Sequence, residues 1–164
     1  MTPPPKSAPR HLAFSPNGKF VYTIQEAAST VMAFSYDAEH GVLKEIQMIS
    51  TLPANFTGKN LSTAELIFHP SGKFLYGSNR GHDSIGVFGI DRAKGTLTPR
   101  QWVPAKGGVP RFFCFDPRQR FLYIANQGGH SIVGYKVERD GKLSPTGIRV
   151  KVPSPACIVF SGAY

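Results

Sequence analysis

The sequence predicts an all-β fold, a β-propeller fragment of about three four-stranded antiparallel blades plus one extra strand. Two observations lead to this prediction. The 164-residue chain contains 17 Gly, 14 Pro and 12% aromatic residues, a composition typical of short strands joined by tight turns. The chain also contains an internal repeat of the length of a propeller blade. A β-sandwich that happens to repeat is the alternative fold.

The repeat is visible in three aligned segments. They read PRHLAFSPNGKFVYTIQE at 9–26, TAELIFHPSGKFLYGSNR at 63–80 and PRFFCFDPRQRFLYIANQ at 110–127. Equivalent phenylalanines recur at intervals of 54, 47 and 45 residues, at Phe14, Phe68, Phe115 and Phe160. The longer first interval is a loop insertion at 51–62. A fourth copy begins in PACIVF, at residues 155–160.

This spacing divides the chain into a disordered tail at 1–8 and a partial propeller at 9–164. The repeats cover about 9–50, 63–108 and 109–153, and the start of a fourth lies at 154–164. In the first repeat, strands are predicted at 11–14, 20–25, 30–36 and 43–49. Pro-Asn-Gly and Pro-Ser-Gly turns separate the first two strands of a repeat, because Pro presets φ and Gly accepts a positive φ.

Antiparallel strand order predicts which polar residues meet. The start of the first strand and the loop between the second and third strands lie at one end of a blade, which we call the N-terminal face. The first strand of each blade lines the central channel of a propeller, so this face is expected to form the channel mouth. The insertion at 51–62 is expected to overhang it. The candidate polar residues there are Arg10, His11, Glu65, Asn79, Arg80, His82, Arg111, Asn126 and Gln127.

The net charge and the hydropathy of the chain restrict the classes of partner and the cellular locations that we expect. A net charge of +9 favours an anionic partner, but the basic residues are dispersed, so nucleic acid is not expected. No apolar run approaches the roughly 20 residues that span a bilayer, and the N-terminus lacks a signal-peptide pattern. We expect a cytoplasmic protein without a membrane partner. Cys114 and Cys157 lie in apolar stretches and are predicted to be buried, reduced thiols. No metal site or cofactor is expected.

The repeats resemble the lactonase family of seven-bladed propellers, which includes bacterial 6-phosphogluconolactonases and fungal carboxymuconate lactonizing enzymes. The resemblance rests on PRHLAFSPNGKFVY, on STAELIFHPSGKFLYGSNRGHDSIGVF and on PRFFCFDPRQRFLYIANQGGHSIVGY. Its most specific stretch is Ser78 to Ile85. The resemblance covers 9–160 and corresponds to the C-terminal half of such a propeller. It implies a channel-face active site built from Arg, His and Glu.

By motif position, the resemblance implies His11, Glu65 and Arg111 as catalytic residues. Lactone opening needs an activated water and positive charge for the developing oxyanion, so either Glu65 or His11 can be the general base. The candidate substrate-binding residues are Arg10, Asn79, Arg80, His82 and Gln127. Structural roles remain open, because strand-end arginines commonly form salt bridges and Glu65 can pair with one of them.

The expected function is that of a lactone hydrolase of sugar metabolism, similar to 6-phosphogluconolactonase and acting on a phosphorylated or carboxylated sugar lactone. One alternative is a non-catalytic binding propeller or an inactive truncated half-propeller. Another is a lactonizing enzyme similar to carboxymuconate cyclase. The expected partners are a small anionic sugar lactone and other copies of the chain, because three blades leave two apolar blade flanks open.

Overall fold

The computed structural model describes residues 5–161. These residues form three four-stranded antiparallel sheets, each made of four consecutive strands in sequence order. The strands are β1 (Pro9–Phe14), β2 (Phe20–Gln25), β3 (Thr30–Asp37), β4 (Val42–Ser50), β5 (Ser62–Phe68), β6 (Phe74–Arg80), β7 (Ser84–Ile90), β8 (Leu97–Pro104), β9 (Pro110–Phe115), β10 (Phe121–Asn126), β11 (Ser131–Val137) and β12 (Leu143–Lys151). The described residues contain no helix. The three sheets are blades 1, 2 and 3, and the predicted all-β fold with three four-stranded antiparallel blades is confirmed.

The turn between the first and second strands is stabilised in a similar way in blades 1 and 3. Ser15 Oγ accepts the Phe20 amide at 2.9 Å, and Asp116 Oδ1 accepts the Phe121 amide at 2.6 Å. Gly18 has a φ of 68°, which glycine adopts without steric cost. Gln119 occupies the equivalent place in blade 3 with a φ of 58°. The turn geometry is therefore kept where the Pro-x-Gly sequence is lost.

Apolar faces pack the blades against one another. Tyr22, Ile24 and Leu75 belong to the core between blades 1 and 2, whereas Phe113 and Leu122 belong to the core between blades 2 and 3. Full burial of such a side chain contributes roughly 1.5–3 kcal/mol. The first strands of neighbouring blades, β1, β5 and β9, lie beside one another. This packing brings the starts of the first strands together at the N-terminal face.

Tyrosines at one repeat position also join each blade to the next. The Tyr22 hydroxyl donates to Gly95 O at 2.7 Å, and the Tyr76 hydroxyl donates to Gly141 O at 2.6 Å. Both glycines lie in the turn between the third and fourth strands of the following blade. Tyr123 of blade 3 has no following blade among the described residues, and its ring packs against Phe160 at 5.8 Å instead.

Two glutamines make a second connection between neighbouring blades. Gln47 donates to Leu97 O at 3.1 Å and accepts the Leu97 amide at 2.7 Å. Gln101 makes the same pair of bonds to Leu143, at 3.1 and 2.8 Å. Because each side chain satisfies both backbone groups of one residue, it sets the register of the outer strands of adjacent blades.

Replacing Tyr76 by Phe is expected to lower the free energy of unfolding by about 1–3 kcal/mol, because the buried Gly141 carbonyl loses its donor. The matched control is Tyr123→Phe, at the same repeat position but without a hydroxyl partner in residues 5–161, which is expected to change it by less than about 0.5 kcal/mol. Urea unfolding measures both values. Equal losses in the two variants would contradict the role of the hydroxyl bond.

The structure corrects the predicted ends of the propeller. Residues 7 and 8 of the expected disordered tail are held by the loop after β2, where Ala27 donates to Ser7 O at 3.0 Å and Glu26 donates to Ala8 O at 2.8 Å. Residues 1–4 lie outside the described residues. The expected extra strand at the start of the fourth repeat does not form in 155–161, because the described residues hold no second strand to pair with it. Residues 162–164 are outside the described part.

The cysteine prediction also needs correction. Cys114 is only partly buried and Cys157 is exposed, because no following blade covers this side of blade 3 within residues 5–161. Both side chains are free thiols.

Residues 5–161 include no helix with the length and hydrophobicity that are needed to span a membrane.

Candidate functional site

Two catalytic candidates from neighbouring blades meet at the N-terminal face. His11 is the third residue of β1 and Glu65 is the fourth residue of β5, and the packing of these two strands brings His11 Nδ1 to 3.1 Å from Glu65 Oε1. The Glu65 side chain is 7% exposed and the His11 side chain is 39% exposed. The pair therefore has a buried carboxylate and a ring that reaches solvent.

The Glu65 backbone and carboxylate are held in place by blade 2. Its Oε1 accepts the Leu66 amide at 3.1 Å, and its own amide donates to Ser78 Oγ at 2.9 Å. Burial raises the pKa of Glu65, while His11, the Leu66 amide and Arg10 act in the opposite direction. The pKa of this carboxyl is thus raised by its site, a feature common in functional clefts.

Arg10 and Arg80, two of the substrate-binding candidates, share one carboxylate. Glu26 accepts from Arg10 Nη1 at 3.2 Å through Oε2 and from Arg80 Nη2 through Oε1. Arg80 Nη2 also donates to Thr63 O at 2.5 Å. Chiefly because of the Arg80 hydrogen bond, the pKa of Glu26 is lowered. This triad links blades 1 and 2. The guanidinium groups of Arg10 and Arg80 therefore use part of their hydrogen-bonding capacity within the protein.

Sequence reasoning missed Glu26. It occupies the repeat position held by Arg80 in blade 2 and Gln127 in blade 3. Glu26 and Arg80 carry opposite charges at one repeat position in neighbouring blades, and this signal could have identified their ion pair from the sequence. The open alternative of a Glu65–arginine ion pair is resolved as well: Glu65 pairs with His11, whereas Arg10 and Arg80 pair with Glu26.

Arg111 lies at the same repeat position as Arg10, at the start of β9, and is half-buried. Unlike Arg10, it forms no ion pair with any residue between 5 and 161. Gln127 is likewise half-buried, and its backbone N–H donates to Val109 O at 2.9 Å. Arg111 therefore adds to the N-terminal face a cationic side chain that no carboxylate within residues 5–161 neutralises.

His82 lies beneath the insertion, in which the Phe56 ring packs edge-on against the imidazole at 4.4 Å. His82 Nδ1 is 2.7 Å from Ser84 Oγ, and burial lowers the pKa of His82. A lowered pKa favours the neutral ring at physiological pH. The insertion is expected to overhang the N-terminal face, and this contact places Phe56 against the loop after β6, which lies at that face.

Asn79 differs from what the sequence suggested. Its side chain is fully buried, and its amide donates to Thr51 O at 2.9 Å and to Ser84 Oγ at 3.1 Å. Trp102 Nε1 donates to the same Thr51 carbonyl at 2.7 Å. Asn126 makes the equivalent bond to Ala105 O at 2.9 Å. Because the residue has no exposed surface, its environment supports a role in anchoring the insertion rather than in touching a ligand.

Metal ligation finds no support in the described part of the chain, where no group of three or more His, Cys, Asp and Glu side chains is arranged around one point. The titratable and charged groups described at the N-terminal face are the His11–Glu65 pair, the Arg10–Glu26–Arg80 triad and Arg111. A proton acceptor beside cationic side chains suits reactions of anionic carbonyl compounds.

Comparisons with known proteins agree with this fold. The family model for the seven-bladed β-propeller lactonases matches residues 1–160. The chain is 36% identical over 157 residues to the 6-phosphogluconolactonase of Bacillus subtilis, covering 95% of this chain and 45% of that protein. It is 37% identical over 142 residues to the 6-phosphogluconolactonase of Formosa agariphila, covering 85% of this chain and 39% of that protein.

A solved structure extends the match to three dimensions. The periplasmic gluconolactonase of Pseudomonas aeruginosa superposes with a TM-score of 0.90 at 34% identity, covering 96% of this chain and 43% of that one. The chain thus spans less than half the length of these relatives. Since the match takes in nearly all of the sequence, and the blades have the same architecture, the chain belongs to the lactonase family of seven-bladed β-propellers.

Proposed function

We propose that the chain carries the hydrolytic part of a lactonase site similar to that of 6-phosphogluconolactonase, acting on a phosphorylated or carboxylated sugar lactone at the N-terminal face. The observation that supports this most directly is the His11–Glu65 pair, with 3.1 Å between Nδ1 and Oε1. The reaction needs a base for water and a cation for the carbonyl oxygen, and both residue types are present at this face.

In this proposal His11 is the general base and Glu65 is its orienting partner. The Nδ1–H of a neutral imidazole donates to the carboxylate, which leaves Nε2 as a proton acceptor. The exposures of 39% for His11 and 7% for Glu65 favour this assignment, because water reaches the ring more easily than the carboxylate. His11 takes a proton from the attacking water and returns it to the ring oxygen that leaves as the lactone opens.

Arg111 is proposed to bind the negative charge, either on the developing oxyanion or on the substrate's anionic group. Arginine suits this role because its planar fork binds two oxygens at once. Arg10 and Arg80 line the same face, but both already contact Glu26. Their proposed contribution is a positive field rather than a primary contact. His82 and Gln127 remain proposed substrate contacts at the loops after β6 and β10.

The direct test is acid release from 6-phosphogluconolactone by the 164-residue chain, compared with spontaneous hydrolysis in the same buffer. Gluconolactone without the phosphate is the second substrate, since the Pseudomonas aeruginosa relative is named a gluconolactonase. A rate above background with preference for the phosphorylated lactone supports the proposal, and a rate equal to background contradicts it. The cytoplasmic location stays a prediction of the sequence.

Replacing Arg111 by Ala is expected to weaken binding of the anionic lactone roughly 10- to 100-fold, because one charge-assisted contact worth about 1.5–3 kcal/mol is lost. The KM for the phosphorylated lactone measures this effect. Arg118→Ala is the control, since Arg118 is exposed and lies in the turn at the opposite end of blade 3. An equal KM for both variants and the wild type would contradict the assignment.

We also propose that copies of the chain associate through the flanks of blades 1 and 3. The flank of blade 1 exposes Leu12, Phe14 and Met48, which are 53%, 51% and 49% exposed. The flank of blade 3 exposes Ile148 and Val150, at 39% and 53%. These faces have the same strand architecture as the faces that pack inside the chain, so the flank of blade 3 in one copy suits the flank of blade 1 in another.

A further inference from the structure

Cys114 and Cys157 lie close together although 42 residues of chain separate them. Cys114 is in β9, and its Sγ is 3.9 Å from Ile158 O. Cys157 precedes that residue, and its Sγ is also 3.9 Å from Ile158 O. Both sulfur atoms therefore approach the same carbonyl oxygen. Cys157 is exposed and Cys114 is partly buried, so reagents reach one thiol more easily than the other.

The segment that carries Cys157 is held by few contacts. Residues 155–161 form no strand. Phe160 packs on Tyr123 with 5.8 Å between ring centroids, and Pro155 is buried. Just before this segment, the Ser154 amide donates to His130 Nδ1 at 3.1 Å. A segment without ladder hydrogen bonds can adjust its backbone at little cost, which allows Cys157 to approach Cys114 and form a covalent bond.

We propose that Cys114 and Cys157 are a redox modification site, at which a reversible disulfide fastens residues 155–161 to the first strand of blade 3. The oxidant is a small disulfide such as oxidised glutathione. The Cys157 thiolate attacks one sulfur of that disulfide and releases one glutathione thiolate, which leaves a mixed disulfide on Cys157. The Cys114 thiolate then attacks the Cys157 sulfur and releases the second glutathione. Two protein thiols are oxidised and one small disulfide is reduced to two thiols.

The environment of the two thiols sets this order of attack. Burial, followed by the nearby Cys157 and Glu65, raises the pKa of Cys114 to about 11. A thiol with a raised pKa is rarely ionised and reacts slowly with an outside disulfide. Exposed Cys157 is therefore the entry point, and Cys114 is the resolving thiol.

The test is incubation of the 164-residue chain with oxidised glutathione, followed by intact-mass analysis and peptide mapping without reduction. The wild type is expected to lose two hydrogen atoms and to yield a linked peptide containing both cysteines. Cys114→Ser is expected to stop at the mixed disulfide on Cys157, and Cys157→Ser to react much more slowly. Hydrogen exchange of the 155–161 amides is expected to slow in the oxidised form.

A stable mixed disulfide on wild-type Cys157 without closure would overturn the proposal, as would a disulfide between two chains. The thiol–disulfide readouts do not depend on lactone hydrolysis, so they remain informative whether or not the proposed activity is found. Serine at either position removes one thiol with little change in side-chain size, and Cys157 is exposed. Circular dichroism of both variants checks that the fold is kept.

Discussion

Replacing His11 by Ala is expected to lower the rate of lactone hydrolysis about 10²- to 10⁴-fold, the usual contribution of a positioned general base. Replacing Glu65 by Gln is expected to lower kcat in the same direction, because the amide cannot stabilise the imidazolium that forms when His11 takes a proton. Since the two side chains act as one unit, the double variant is expected to be little slower than His11→Ala alone. Hydrolysis above the spontaneous rate is the measurement.

The chain offers a matched control pair for this experiment. His40 Nδ1 lies 2.8 Å from Asp37 Oδ2 in the turn at the opposite end of blade 1. His40→Ala and Asp37→Asn therefore remove the same kind of histidine–carboxylate contact away from the proposed site, and both are expected to keep wild-type rates. Loss of activity in these controls, or wild-type activity in His11→Ala, would contradict the assignment of the base.

The stability of Glu65→Gln distinguishes catalysis from structure. Burial raises the pKa of Glu65 in the folded protein. A carboxyl with a raised folded pKa contributes stability below its unfolded pKa, and that contribution is lost as the pH rises through the folded pKa. Glutamine does not ionise, so this variant lacks that pH-dependent loss of stability. Its Tm is expected to rise relative to the Tm of the wild type as the pH increases through the folded pKa of Glu65, and to equal or exceed the wild-type Tm at neutral pH.

The strands and the blade order could be predicted because they depend on local signals that occur three times. Phe14, Phe68 and Phe115 mark the first strand, and a turn residue with positive φ follows each. Repetition makes each signal more specific than a single occurrence. The meeting of His11 and Glu65 also follows from the repeat, since equivalent first strands of neighbouring blades lie side by side.

The ion pairs, hydrogen bonds and burial of individual side chains depend on contacts between blades. A single sequence does not specify which side chains make these contacts. Arg80 forms an ion pair with Glu26 of the neighbouring blade, a partner that its own strand does not reveal. Asn79 is polar, yet its Nδ2 donates to Thr51 O and Ser84 Oγ within the core. The exposure of Cys157 depends on a face of blade 3 that no following blade covers within residues 5–161. Burial and pairing are decided by tertiary contacts rather than by local pattern.

Wild-type chain is expected to associate at micromolar concentration, and replacing Leu12 by Lys is expected to weaken that association at least about 10-fold. Burial of a leucine contributes roughly 1.5–3 kcal/mol, and a buried lysine adds a desolvation cost. Sedimentation velocity over a range of concentrations measures the effect. The matched control is Val42→Lys: Val42 is 54% exposed against 53% for Leu12, and it points to the other side of the same sheet.

Mixing variants tests which flanks meet. Leu12→Lys leaves the flank of blade 3 intact, and Val150→Lys leaves the flank of blade 1 intact. If the flank of blade 3 in one copy packs on the flank of blade 1 in another, each variant alone is expected to be monomeric and their mixture is expected to form a dimer that grows no further. Six blades fall within the four to eight of known propellers, and a head-to-tail contact that does not close would instead extend as a filament. A wild-type chain that stays monomeric and cooperatively folded at high micromolar concentration would show that three blades are stable with both flanks in water.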